Sequence, residues 1–295
     1  MIKNKIASSK IPSGKLPYKH DKRTLKFRNV INKKDSETKI PAQYDWGSRI
    51  KPNHNWGDYG NLKLDNCTFV AAAYLIMIWK SYKADRIYRP GVKKIIEDYS
   101  KLIKEKGPGG RPINAILNEG GKPLEATKVL NHWRKKGIDG HKIIAFTKLT
   151  FNNKKGHKEE LKRAIYLYGG CYVGINIPRS VEKQWQNNKK WTIIRGVSGG
   201  DARLRLWFSH ALLATGYNEK ELRVVTFGKE EIMSWEFYEK YVDEAYAIFD
   251  EKFLKDRKTP SRMKVKDLED ILKLKTKGVK QAKTLKPRKS IKPRK

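Results

Sequence analysis

The sequence predicts a segregated α+β domain, with helices crowding its first half and strands its second. Three observations carry that reading. The run from Thr68 to Trp79 is apolar on nearly all sides, as a central buried helix is. Strand-like stretches dominate the chain after Gly170. And 295 residues that are 38% hydrophobic and 11% aromatic, with 8 Trp, hold enough apolar material for a core.

Taken in order, residues 42–66 read as loop, punctuated by Pro, Asn, Gly and Asp. The apolar helix begins at Cys67. A second helix is predicted over 90–106, ended by Gly107-Pro108-Gly109-Gly110, and a third over 123–136, stopping at Gly137. Ile143 to Phe146 reads as a strand, 157–168 as a helix closed by Gly169-Gly170. Strands follow at 171–177, 210–216, 222–227 and 245–249. Trp79, Trp133 and Trp235 are expected in the core, and Trp207 as a wall beside His210. There is no internal repeat.

Charge is unevenly placed. Lys and Arg number 66 against 31 Asp and Glu, a net charge of +35. Residues 1–41 hold 12 basic and 3 acidic residues, and residues 252–295 hold 18 and 4. The 42–251 stretch carries the remaining 36 and 24, so it is only moderately basic. The expected organisation is a basic N-terminal arm (1–41), one domain (42–251) and a basic, largely disordered tail (252–295), with a short amphipathic helix around Lys264 to Leu274. Two readings of the tail stand: a solubilising segment, or an arm that grips nucleic acid or an acidic protein surface by charge alone.

Other classes are excluded. Two cysteines cannot make a disulfide framework. The longest apolar stretch, Phe69 to Trp79, is about 11 residues, against roughly 20 for a membrane span. The first residues lack a signal-peptide apolar run, so a cytoplasmic protein is expected. His20, His54, His132, His141 and His157 have no ligand spacing, and the Gly196…Gly199-Gly200 loop has no following helix pattern. Neither a metal nor a cofactor is expected.

One constellation carries chemistry. Cys67 follows a polar loop and opens the most buried helix, where backbone N–H groups favour a thiolate, the nucleophilic form. His210 comes 143 residues later and opens an apolar strand, Ser209 to Tyr217. A histidine at a strand mouth can meet a helix start across a cleft between helical and sheet halves. Cys171, inside a Gly-rich strand, reads as core.

With these motifs the sequence resembles the papain-like cysteine peptidase superfamily, most nearly papain-like proteins of bacteria and their phages. The matching residues are Asp45-Trp46, Asn61…Asp65-Asn66-Cys67-Thr68, Trp133-Arg134-Lys135…Gly137 to Lys142, and Ala164 to Ile175. Further matches are His210-Ala211…Gly216-Tyr217 and Val224 to Gly228…Met233 to Tyr246. The resemblance spans roughly residues 15–254. It implies a papain-like fold, a buried Cys-bearing helix packed on an antiparallel sheet or barrel half, with basic flexible termini. It implies hydrolysis of a peptide or isopeptide bond in a peptide or protein substrate, with Cys67 as nucleophile and His210 as base.

Two positions depart from the family pattern. The oxyanion donor six residues before the Cys is Asn61 rather than Gln. The Asn-Ser-Trp-Gly stretch, whose Asn orients the imidazole, aligns with Val225-Thr226-Phe227-Gly228. Val225 cannot hydrogen-bond; a one-residue strand shift lets Thr226 serve instead, because alternate residues share a face. The Val225 departure also leaves open an impaired, structural or virion-associated module, cytoplasmic or packaged in a phage particle. Residues 1–41 lack a long helical pro-segment, yet a short arm can still cover the cleft.

Overall fold

The computed structural model describes residues 14–21, 24–50, 55–82, 84, 86–104, 121–151, 154–195, 206–256 and 259–273. The loop calls at 107–111 and 196–200 lie outside them, as do His54 and the Trp207 side chain.

Two short helices, α1 (Lys33–Glu37) and α2 (Trp46–Ile50), flank strand β1 (Tyr44–Asp45). The apolar run forms α3 (Cys67–Ser81), in which every residue except Lys80 is buried. Helices α4 (Val92–Lys104) and α5 (Ala126–Lys135) pack beside it. Next come β2 (Ala145–Lys148), α6 (Lys154–Tyr168), β3 (Cys171–Pro178), α7 (Ser180–Gln186) and β4 (Leu206–Tyr217). β5 (Glu221–Thr226), β6 (Lys229–Ser234), α8 (Trp235–Tyr241), β7 (Val242–Phe249) and α9 (Glu251–Lys255) complete the series, and residues 265–273 are also helical.

Six of the strands form one antiparallel sheet in the order β2-β7-β3-β4-β5-β6, with β1 added to the end of β4. An α-helix that is apolar all round must be covered on every side. Here α3 is covered by β4 and β5 on one flank and by α2, α4 and α5 on the others. Trp79, Trp133 and Trp235 are buried, as their positions predicted. The segregated α+β architecture is therefore the observed one.

The ends are less free than their charge suggested. Phe27, Val30, Met263 and Leu268 are buried in the core. Asp35 is fully buried and accepts hydrogen bonds from Tyr168 Oη (3.0 Å), Ser261 Oγ (2.6 Å) and the Arg262 N–H (2.6 Å), joining both ends to α6. Described stretches of both ends, residues 24–41 and 259–273 among them, therefore pack onto the domain. Charge counting over some 40 residues averages away the few apolar side chains that dock them.

Candidate active site

The site is built where the first turn of α3 meets the middle of the sheet. Asn66, the residue before the helix, does not cap it; its amide donates instead to Tyr59 C=O at 2.9 Å and fixes the incoming loop. Thr68 C=O accepts from Tyr172 Oη at 3.1 Å, pinning the helix start to β3. Cys67 Sγ accepts the Ala211 N–H at 3.3 Å, so the thiol lies against the strand residue next to His210.

His210 is fully buried on β4, opposite Ile175 of β3. Its Nε2 is 2.6 Å from Thr226 Oγ1. The register explains why Thr226 and not Val225 stands there. Val225 pairs with Leu213 and Val224 with Ala214, so Thr226 falls on the face shared by Leu212 and His210, while Val225 points to the opposite face. Phe227 and Gly228 form the two-residue turn between β5 and β6, both at positive φ (+49° and +76°). A bulky residue at positive φ is uncommon. Here it turns the Phe227 ring onto the imidazole, 4.6 Å between centroids and 20° from parallel, with Trp185 behind it at 5.4 Å.

Tyr74 ties the halves together. It lies seven residues after Cys67, on the same face of α3. Its hydroxyl accepts the Gly228 N–H at 2.9 Å and donates to Gly57 C=O at 2.9 Å, so the turn carrying Thr226 is bolted to the cysteine-bearing helix. Asn61 is buried in the turn that leads to Asn66, its N–H on Asp58 C=O at 2.8 Å; its Oδ1 has no hydrogen-bond partner among the described residues.

The thiol is covered by the N-terminal stretch, an arrangement the sequence left open without marking Gly14 and Lys15 as the residues that make it. Gly14 lies so close that a Cβ there would sit 2.8 Å from Cys67 Sγ and 2.8 Å from its N. Only glycine fits. Its C=O accepts from Leu124 N–H (3.2 Å), and Leu16 N–H donates to Leu124 C=O (3.0 Å), so residues 14–16 run as an extra parallel bridge along 124. Burial works against the easily ionised thiol expected at a helix start. Burial pushes the Cys67 thiol up to about 12, outweighing the Ala211 N–H and the Lys15 charge, which pull it down. Burial, with Lys15 adding to it, holds the His210 imidazole down at about 3. With the segment seated, burial favours the neutral form of both groups.

Two solved structures share this architecture. Xylellain, a cysteine protease from Xylella fastidiosa, is 14% identical with a TM-score of 0.55, the alignment covering 82% of this chain and 97% of that one. A structure from work on the mite allergens Blo t 1 and Der p 1 is 11% identical with a TM-score of 0.52, covering 81% and 80%. The chain has a papain-like fold. At these identities the likeness reaches the fold and not the chemistry. No family model and no curated protein matches the sequence.

Among the described residues no group of three or more His, Cys, Asp or Glu is placed to hold a metal, and no helix is long and apolar enough to cross a membrane. His157 and His141 have structural partners: His157 bonds Tyr238 Oη at 2.7 Å, and His141 Nε2 is 2.9 Å from Asp250. Cys171 is buried in β3, its thiol donating to Tyr246 C=O at 3.3 Å.

Proposed function

We propose that the protein is a papain-like thiol hydrolase cleaving a peptide or isopeptide bond in a protein or peptide substrate. The observation that carries the reading is the juxtaposition of Cys67 Sγ, bonded at 3.3 Å to the residue after His210, with an imidazole whose Nε2 rests 2.6 Å from Thr226. A neutral ring that gives its Nε2–H to Thr226 Oγ1 keeps Nδ1 as the base. Once the thiol is uncovered, its proton passes to His210 and the thiolate attacks the carbonyl carbon. The imidazolium returns that proton to the leaving amine as the C–N bond breaks, leaving a thioester on Cys67 that water hydrolyses. Asn61 is the side-chain donor to the oxyanion, and Thr226 is the positioning residue. Losing one such donor typically costs about 2.7–4 kcal/mol of barrier.

The test uses the full chain carrying Gly14→Val, which cannot lie on the thiol. That chain is expected to cleave an unfolded, fluorescently labelled protein substrate, and adding Cys67→Ala is expected to remove all cleavage. Cleavage that survives Cys67→Ala, or that never occurs, ends the reading.

A second reading draws on the ten Lys and Arg, with no Asp or Glu, in residues 274–295. In it the domain is a structural module, cytoplasmic or carried in a phage particle, whose tail holds nucleic acid or an acidic protein surface. Deleting 274–295 spares the docked 259–273 stretch and is expected to abolish salt-sensitive retention on double-stranded DNA. Unchanged retention rules this reading out.

A further inference from the structure

Lys15 is buried to 0% exposure of its side chain, and a lysine at such depth demands a partner. It has two. Its Nζ is 2.9 Å from Asp243 Oδ2 and 2.9 Å from Glu244 Oε1, both at the start of β7, and it donates to its neighbour Leu16 C=O at 2.9 Å. Glu244 is itself only 2% exposed and is held by Tyr246 Oη at 2.6 Å. The Tyr18 N–H reaches Asp243 Oδ2 at 3.3 Å.

The space that Lys15 fills is made by Gly174 of β3, the register partner of Glu244. A Cβ at Gly174 would lie 2.3 Å from Lys15 Cε and 2.5 Å from Glu244 Cγ. The result is a slot with a glycine floor and two carboxylates at its end. It is occupied by the residue next to the one lying on the Cys67 sulfur. A polypeptide thus already lies across the thiol, its backbone bridged to Leu124, its Gly14 against the sulfur and its lysine in the slot.

We propose that this slot is a specificity subsite for a lysine or arginine side chain of the substrate, and that residues 14–16 occupy it as a stand-in for that substrate. The proposal rests on Cys67 marking the reacting centre. Any chain that reaches the thiol displaces 14–16 and uncovers Glu244 and Asp243. A buried Glu244 beside a half-buried Asp243 is disfavoured without a cation, so a substrate carrying a basic side chain at that place restores what Lys15 supplied. Asp243 Oδ1, which has no hydrogen-bond partner among the described residues, adds an acceptor that a guanidinium can use. A neutral or acidic side chain there leaves the carboxylates without the direct ammonium contact that Lys15 made, with the Tyr246 hydroxyl and the more distant Lys148 charge beside them. That is how discrimination by a buried polar site arises.

The experiment reads binding and not cleavage, so it stands apart from the hydrolase reading. The full chain carrying Lys15→Glu places a third carboxylate in the slot and unseats the segment; Gly14→Val unseats it independently, by the clash with Cys67. Each folded variant, checked by circular dichroism, is titrated with a fluorescein-labelled peptide of residues 12–18 (Pro-Ser-Gly-Lys-Leu-Pro-Tyr) and with versions having Arg, Leu or Glu in place of the Lys. Anisotropy is expected to give Kd values for the Lys and Arg peptides at least about tenfold below that of the Leu peptide, with the Glu peptide weakest. Adding Glu244→Gln is expected to narrow the Lys–Leu gap severalfold. Equal affinity for Lys and Leu peptides, no binding of either, or a gap untouched by Glu244→Gln overturns the subsite. Tight Lys-peptide binding by a chain that cleaves nothing keeps the subsite and overturns only the hydrolase.

Discussion

Cys67 and Cys171 are both fully buried, and burial raises the pKa of both thiols, yet what covers them differs in kind. Cys171 lies in β3 between β4 and β7, bonded to the Tyr246 carbonyl, and can be reached only by opening the sheet. Cys67 sits at a helix start and accepts an N–H from the strand that bears His210. Its cover includes residues 14–16, fastened through Leu124 and Lys15. Local opening of such a segment costs much less than global unfolding. Equal burial therefore conceals unequal access.

The largest expected effect separates the two thiols directly. Gly14→Val, whose added side chain cannot coexist with the Cys67 sulfur, should speed alkylation of Cys67 by iodoacetamide by about 100-fold, equivalent to roughly 2.7 kcal/mol of opening. Cys171 should label no faster. Mass spectrometry of the two cysteine-containing peptides reads both rates in one sample. Unchanged labelling of Cys67 would show that residues 14–16 are not what protects it.

A second contrast lies in pH. Burial holds His210 at about 3 and His157 at about 4, below the ordinary 6.5. A depressed folded value means their stabilising contribution is complete above about pH 6.5 and is lost as pH falls towards 3–4, each group costing up to about 1.4 kcal/mol per pH unit. Cys67, raised from 9.0 to about 12, acts the other way: its contribution is complete below about pH 9 and is lost as pH rises towards 12. The Cys67 site thus shapes both limbs of the stability profile, while Cys171 shapes only the alkaline one. Urea unfolding of His210→Asn should show about 1.7 kcal/mol less loss than the wild type between pH 6.5 and 5. Cys171→Ala should leave that acid limb unchanged. Equal acid limbs in wild type and His210→Asn would mean the imidazole already titrates normally in the folded chain.

How much of this was legible follows from the length scale of each signal. Thr68 to Trp79 and His210 to Tyr217 are long apolar runs, and a long run survives any error in boundaries; both elements and the Cys-before-His order could be read. β6 was not, because its Lys229-Glu230-Glu231 start lies at the sheet edge and carries no apolar alternation. Helices α7 and α8 are seven residues each, too short for periodicity to speak. Thr226 could be reached only as a one-residue shift, since strand register is fixed by pairing partners that the sequence does not show. Gly14 and Lys15 gave no signal: a lysine in a basic, Ser- and Pro-rich stretch reads as solvated, and the Asp243 that buries it lies 228 residues away.

The smallest effect concerns Thr226, and it tests whether the Cys67 neighbourhood is chemically organised or merely covered. Thr226→Val keeps the shape and removes the oxygen, so the buried Nε2–H of His210 loses its acceptor. That should cost about 1 kcal/mol of stability, the low end for a buried donor left without its acceptor. In the Gly14→Val background, where the cover is already off, it should also slow Cys67 alkylation at neutral pH severalfold, because an imidazole without its second contact holds the wrong nitrogen or the wrong angle towards the thiol. Thr226→Ser, which retains the hydroxyl, should restore the rate, and the labelling of Cys171 should stay the same throughout. If Val and Ser behave alike, Oγ1 is a packing atom and the aim of His210 does not depend on it. If Ser rescues, the hydroxyl that the register placed beside the imidazole does the orienting for which the aligned Val225 has no polar group.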